Sequence, residues 1–402
     1  MNTFEQITIE GFQRLFSVSV DMRPLTVMIG ANGVGKTAFL EMFSLLAASA
    51  NGQLQSKISE LGGLSEMVTR DKADNVAISL SMPDSRLRDR YAWDVTDSFK
   101  YHLQLGIKGQ FYEISREILT HQFNNSSTQY IDAQGGNVKY YEQQNQSHRS
   151  RKRTKEKLVS PNWEHNLFET LLYQIPKNYS QSKPEILRKT IASCAFYKAW
   201  ELNVAPKSPV RLPQPMRPAI LPGANGEDLV SCLFYLRETD SDRFEIIEDT
   251  LSVAFPDFER LNFPPVAAGT LAMTWKDKNF SQPLYMHQLS EGTLRFLWLV
   301  TLLQSRDLTA VTLIDEPEVS LHPELLRLLA HVMREAAQRT QLIVATHSDR
   351  LIRFLEPQEV LVCDSEDGLT TMAWGDSMNL DHWLEDYSLD QLWAMNIIGG
   401  RP

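Results

Sequence analysis

The stretch Leu25-Thr-Val-Met-Ile-Gly-Ala-Asn-Gly-Val-Gly-Lys-Thr37 runs an apolar segment straight into a glycine-rich turn. Leu25–Ile29 is nearly continuous in apolar residues, the pattern of a strand covered on both faces. Gly30–Thr37 fits G-x-x-x-x-G-K-[ST], and Phe39, Met42, Phe43 and Leu46 then fall at helical spacing. Strand, glycine-rich loop and helix follow in the order that a phosphate-binding loop requires. Glycines let backbone amides turn inward and cradle phosphate oxygens, where a side chain would block the approach. Gly30, Asn32, Gly33 and Gly35 form the cradle. Lys36 brings a point charge to the β- and γ-phosphates, and Thr37 offers a hydroxyl to Mg²⁺. The N-terminus of the following helix adds a favourable partial positive charge.

The residues around this loop read as sheet. Ile7 and Ile9 alternate with polar neighbours, as do Phe16, Val18 and Val20, so residues 6–29 give three short strands. Val76, Ile78, Leu80 and Met82 share one face, Leu103, Leu105 and Ile107 another, and Tyr112, Ile114 and Arg116 continue the pattern. An antiparallel sheet beside the phosphate loop is expected.

Three stretches near the other end carry chemistry. Ala310–Ile314 is a buried strand ending in Asp315-Glu316-Pro317. An acid at the tip of an apolar strand is placed to hold Mg²⁺, and Glu316 beside it can polarise a water. Pro323 is positioned to start a helix whose Leu325, Leu329, Val332 and Ala336 line one face. Gln341–Ala345 is a third strand, ending in Thr346-His347-Ser348, where the imidazole of His347 can sense a phosphate or its attacking water. Met286-His-Gln-Leu-Ser-Glu-Gly-Thr-Leu-Arg-Phe-Leu297 sets a polar cluster before an apolar run. Ser290 there can cap a helix, but a serine and a glycine so close together also suit close approach by another group.

Together these four motifs, in this order, resemble the ABC-type P-loop ATPases. The chain is similar to the soluble RecF/SMC/OLD-like branch, and more narrowly to stand-alone AAA-family ATPases of bacterial phage-defence and genome-maintenance loci. Tyr387–Trp393 and Ile398–Pro402 also look like the tail of that group. The resemblance implies ATP and Mg²⁺ as ligands, with Lys36, Thr37 and Asp315 holding them, Glu316 as general base and His347 as γ-phosphate switch. It implies a head-to-tail dimer or higher homo-oligomer in which Ser290 and the amide of Gly292 touch ATP held by a second copy. Arg14 resembles a basic residue that touches phosphates in relatives; a solvated strand-end charge is the other reading. A coupling glutamine common in relatives has only Gln53 and Gln55 as candidates, both also readable as loop residues.

The implied fold is α/β: a mixed sheet with an antiparallel β subdomain, interrupted by a mostly helical insertion. The expected domains are a first lobe over 1–124, an insertion over 125–264 and a second lobe over 265–402. The insertion opens with the polar segments Asn124–Gln129 and Glu142–Ser147, read as mobile loops. His148–Lys157 follows, with six basic residues and one acid. It reads either as a solvated loop or, through Arg149–Lys157, as a nucleic-acid backbone contact. Ala205–Pro222 reads as an ordered connector, and Asp228–Leu236 and Phe244–Phe255 as helices. No sustained heptads suggest a long coiled-coil arm. The residues after His347 are too few for a Toprim nuclease domain, so any such effector is expected to be a separate protein.

Bulk properties agree with an ordinary globular chain. The 402 residues are 43% apolar and 22% charged, with a net charge of −10, which argues against coating nucleic acid through the overall field. Three cysteines without a CxxC pair fit a reducing cytoplasm and no zinc site. No signal peptide or membrane span is expected.

Overall fold

The computed structural model describes residues 3–84, 97–124, 126–141, 158–175, 183–199, 202 and 205–399. The first lobe contains β1 (Gln6–Phe12), β2 (Leu15–Asp21), β3 (Leu25–Ile29) and α1 (Lys36–Asn51). The short helices α2 (Leu54–Glu60) and α3 (Leu64–Met67) lead into β4 (Asn75–Pro83), β5 (Asp97–Lys108) and β6 (Phe111–Phe123). Next come β7 (Ser126–Gln134), β8 (Asn137–Tyr141), β9 (Leu158–Val159), α4 (Leu171–Gln174), α5 (Lys183–Ala192) and β10 (Ala195–Lys198). The middle of the chain holds β11 (Gln214–Pro215), α6 (Leu229–Thr239), α7 (Ser241–Ala254), and five short strands: β12 (Phe258–Asn262), β13 (Pro265–Ala267), β14 (Thr270–Leu271), β15 (Thr274–Asp277) and β16 (Leu284–Tyr285). The last part supplies α8 (Glu291–Gln304), β17 (Val311–Asp315), α9 (Leu325–Ala336), β18 (Gln341–Ala345), β19 (Val360–Glu366) and β20 (Leu369–Trp374).

One six-stranded sheet, ordered β10-β17-β18-β3-β19-β20, organises the molecule. Its pairings are parallel except for β20 on β19. Successive side chains of a strand point to opposite faces, and both faces here are covered. Val27, Ile29, Ile314, Leu342, Val344 and Val360 pack with α8 and α9 in one core. Met28, Val311, Leu313, Ile343, Ala345 and Leu361 pack with α1 and the antiparallel sheet in the other. Double coverage explains the nearly continuous apolar runs in β3, β17 and β18. Helix α8 is likewise buried along nearly its whole length, from Leu294 to Gln304, so its apolar residues need no single face.

The second sheet is antiparallel, ordered β2-β1-β4-β5-β6-β7-β8-β9. Val76, Ile78, Leu80 and Met82 of β4 all face inward. Phe16 and Ile107 do not: both are exposed, and Leu15 instead fills the core position at the start of β2. At the far end of β4, Asp84 donates its amide to the Asp97 carbonyl, while His121 pairs with Asp97 and Lys183 with Asp84. The Lys183 ammonium is the cation that these buried carboxylates hold.

The segment 125–264 divides differently from the expectation. Asn124 lies in a turn and Ser126–Gln129 open β7, which pairs with β6 from Phe123↔Ser126 onward. Polar composition suggested a loop; an edge ladder with a solvated face accepts the same residues. The sheet continues through β8 and β9, and β10 joins the six-stranded sheet beside β17. The helices expected at 228–236 and 244–255 are present as α6 and α7. The run Arg149–Lys157 and the segment Glu142–Ser147 lie outside the described residues. Among the described residues no helix is long and apolar enough to cross a membrane.

The central sheet sets stability. Leu313 is fully buried in β17, so Leu313→Ala is expected to destabilise the chain by about 2–5 kcal/mol in chemical denaturation. Ile107→Ala, at an exposed strand end, is expected to change it by less than about 1 kcal/mol.

Candidate functional site

Parallel register brings three strand ends to one edge. Asp315 pairs with Ala345, and Ala345 with Met28. The residues just beyond β3, β17 and β18 therefore meet: Gly30–Thr37, Glu316 and Thr346–His347. Such an edge, outside the carboxyl ends of parallel strands, is where α/β sheets bind ligands.

Gly30 cannot be replaced by a residue with a side chain. Its φ is +149°, and an added Cβ would stand 2.1 Å from the Cys363 carbonyl oxygen of β19. The loop then turns into α1, whose first residue is Lys36. The Lys36 ammonium donates to the carbonyls of Gly30 (2.6 Å) and Ala31 (2.9 Å) and lies 3.2 Å from His347 Nδ1. A charged ammonium can only donate, so a bond between the two uses Nδ1 as acceptor. Nε2 lies 3.3 Å from Glu316 Oε1. Thr37 donates its hydroxyl to Asp315 Oδ2 at 3.1 Å. Residues from three separate stretches thus meet in two contact chains, Glu316–His347–Lys36 alongside Thr37–Asp315.

A protein-family model described as "AAA domain, putative AbiEii toxin, Type IV TA system" matches residues 25–353. The chain belongs to this AAA-domain family. None of the curated proteins matches it. Among solved structures it is similar to an Smc head bound to the C-terminal winged-helix domain of ScpA. That match has TM-score 0.52 and 12% identity, covering 92% of this chain and 96% of the other. It is also similar to the Smc head with an extended coiled coil, bound to the C-terminal domain of ScpA, from Pyrococcus furiosus. Here the TM-score is 0.51 and the identity 11%, covering 96% and 99%. At such identities the likeness is one of fold. It agrees with an ABC-type P-loop ATPase of the SMC/RecF-like branch.

In this AAA-domain protein a cleft of about 650 Å³ opens over the loop, within the range of small-ligand sites. Gly33, Gly35, Lys36 and Thr37 form its floor, with His347 at one side. One wall comes from the β1–β2 turn, including Arg14, and from Thr69, Arg70 and Lys72 before β4. The β19–β20 turn at Asp367–Leu369 completes the lining beside Arg14. The walls are tied together: Thr69 donates its amide to Gly11, Thr370 donates its amide to the Arg14 carbonyl, and Arg14 Nη1 reaches Gly368 O at 3.4 Å. Arg14, Lys36, Arg70 and Lys72 make this a locally cationic cleft in an acidic chain, suited to an anionic ligand. Thr69, Arg70 and Lys72 carried no motif in the sequence, because only the fold brings that turn beside the phosphate loop.

The signature stretch sits apart from this cleft, and neither Ser290 nor Gly292 lines it. Ser290 caps α8 by accepting from the Thr293 amide at 3.1 Å. Gly292 packs against the turn after Glu316: an added Cβ would lie 2.7 Å from the Ser320 carbonyl. Glu291 accepts from the Ser320 hydroxyl (2.7 Å) and pairs with Arg295 (2.9 Å). Gln53 and Gln55 do not reach the site. They follow α1, whose 16 residues put them about 24 Å from the phosphate loop.

Burial controls the charges. Desolvation lowers the Lys36 pKa, opposed by Asp315 and Glu316 among others. Desolvation, reinforced by Lys36, also lowers that of His347. It raises the Asp315 carboxyl to about 6, against the Thr37 hydrogen bond that pulls it down. A hydroxyl and a carboxylate oxygen, close together and short of positive charge, fit the oxygen donor set of Mg²⁺. The sign of the pH effect follows. Holding a cation requires the Asp315 carboxylate, and this is lost as pH falls through about 6. Affinity for Mg²⁺-ATP is expected to be roughly tenfold weaker at pH 5 than at pH 7.5 in titration calorimetry. The step should be missing in Asp315→Asn.

Proposed function

We propose that this protein hydrolyses ATP and that ATP joins copies of the chain head to tail. The observation that carries the reading is the pair of contact chains in which Lys36, His347, Glu316, Thr37 and Asp315 converge at one edge of the sheet. Loop amides and Lys36 bind the β- and γ-phosphates, with Arg14 reaching from the cleft wall. Thr37 and Asp315 would hold Mg²⁺, which when bound offsets phosphate charge.

Glu316 takes a proton from water as the water oxygen attacks the γ-phosphorus. The bond from that phosphorus to the β,γ-bridging oxygen breaks, giving ADP and phosphate. His347 positions the water or the γ-phosphate. A general base of this kind contributes about 10²–10⁴ in rate. Ser290 stands at the exposed N-terminus of α8 and is free of its own chain's cleft. We assign it, with the Gly292 amide, to the γ-phosphate held by a second copy, where the helix end favours an anion.

At the biological level the same reading makes the protein the regulatory ATPase of an anti-phage system. ATP-dependent assembly holds or licenses a separately encoded effector, a Toprim-like nuclease. The family description, which names a toxin of a toxin–antitoxin system, supports a defence setting. The Smc heads that share the fold are described as bound to ScpA, which supports a head that works through a partner. The basic run Arg149–Lys157 favours a second reading, a repair or chromosome-maintenance ATPase that grips DNA directly. Neutralising that run separates the two: unchanged DNA binding removes the second.

Lys36→Ala is expected to abolish ATP binding in calorimetry; retained affinity would overturn the loop assignment. Glu316→Gln is expected to cut turnover about a hundredfold or more and to accumulate an ATP-bound oligomer in size-exclusion chromatography with light scattering. Normal turnover would place the base elsewhere.

A further inference from the structure

Glu318 lies two residues past Glu316 and has no part in the mechanism above. Its side chain turns inward from the turn after β17. Glu318 Oε1 accepts both the Thr346 hydroxyl (2.5 Å) and the His347 amide (3.1 Å). The Thr346 hydroxyl in turn accepts the Ser348 amide at 3.0 Å. The backbone on both sides of His347 is therefore anchored to one carboxyl group.

The turn that carries Glu318 is itself fixed. Glu316 donates its amide to Ala345 O (2.8 Å), Val319 to Glu316 O (3.2 Å) and Leu321 to Glu318 O (3.0 Å). Glu316 and Ser320 both have positive φ, +53° and +62°, a conformation that costs side-chain-bearing residues about 1–3 kcal/mol each. Ser320 then contacts the signature of the same chain through its hydroxyl on Glu291 and its carbonyl against Gly292. A continuous path of contacts leads from Gly292, through Ser320 and Glu318, to His347.

We infer that Glu318 is a positioning residue: it fixes the backbone of the switch histidine and ties it to the turn on which the chain's own signature rests. The inference builds on the proposed ATPase reading. A contact at Ser290 and Gly292 presses on Ser320, and Glu318 passes that displacement to His347 in the chain's own cleft. The two nucleotide sites of an assembly are then linked inside each subunit. Burial raises the Glu318 pKa, and glutamine matches the side chain in length and shape. Glu318 Oε1 is the atom that accepts both bonds, and glutamine keeps that acceptor.

The test uses Glu318→Ala, Glu318→Gln and Thr346→Val in the full chain. Without nucleotide, hydrogen–deuterium exchange of the peptide spanning 345–349 is expected to rise at least tenfold in Glu318→Ala and Thr346→Val. In Glu318→Gln it should stay near wild type. With ATP, kcat is expected to fall about ten- to a hundredfold in the first two, while ATP affinity stays within twofold and glutamine restores the rate. Wild-type exchange or wild-type kcat in Glu318→Ala overturns the inference. So does a loss of ATP affinity equal to the loss of rate, which would mark general distortion. Should Glu318→Ala fail to fold, Thr346→Val decides by the same criteria. The exchange arm needs no hydrolysis, so it still judges Glu318 if the wild-type protein turns over no ATP, an outcome that would defeat the ATPase reading alone.

Discussion

Everything at the site depends on the register of the parallel ladder. Asp315, Ala345 and Met28 pair across three adjacent strands, so Gly30, Glu316 and Thr346 leave the sheet at one level. A strand slipped by one residue turns every side chain to the other face. Here such a slip would exchange Leu313 for Ile314 between two cores that are both filled. Core packing on two faces thus fixes the positions of the candidate site residues to within a residue. The antiparallel sheet and α8 each fill one of those faces, and so hold the register.

Much of this was legible in the sequence, for a physical reason. Strands buried on both faces leave continuous apolar runs, and Leu25–Ile29, Ala310–Ile314 and Gln341–Ala345 are such runs. Each ends in residues whose chemistry makes little sense elsewhere: a glycine-rich loop with Lys36, paired acids, a histidine between two hydroxyls. Local signals therefore indicated both the strands and their functional ends. What sequence could not supply was anything set by contact between distant segments. Ala195–Lys198 is only a four-residue strand, too short for periodicity, yet it places Lys198 opposite Asp315. Thr69–Lys72 lines the cleft only because the Thr69 amide reaches Gly11. Asn124–Gln129 looked like a loop, because polar residues on an edge ladder carry no apolar alternation.

Glu318 shows the same limit from another side. In the sequence it is the second glutamate of Glu316-Pro-Glu318, indistinguishable in type from the first. The fold separates them. Glu316 lies beside the His347 ring, whereas the Glu318 carboxyl turns under the backbone and accepts two donors there. A carboxyl oxygen that accepts two donors from the neighbouring strand end is a structural tie, and a carboxyl group facing a cleft beside an imidazole is available for chemistry. Composition alone cannot make that distinction.

The charge balance explains why nucleotide and cation belong together here. Asp315, Glu316 and Glu318 all act on Lys36, which is already held by the Gly30 and Ala31 carbonyls, and Lys198 adds a second ammonium beside Asp315. Each unit charge brought within about 4 Å of another in such a site is worth on the order of 4 kcal/mol at an effective dielectric of 20. A triphosphate entering alone would gain from Lys36, Arg14 and the loop amides but be repelled by Asp315 and Glu316. A divalent ion entering alone would meet Thr37 and a carboxyl group that burial has pushed towards its neutral form. Arriving together, each would supply the charge that the other lacks, and a cation beside Asp315 would favour its ionised form. The raised pKa of Asp315 is thus the electrostatic cost of burying a carboxyl group, a cost that a cation bound beside it would offset.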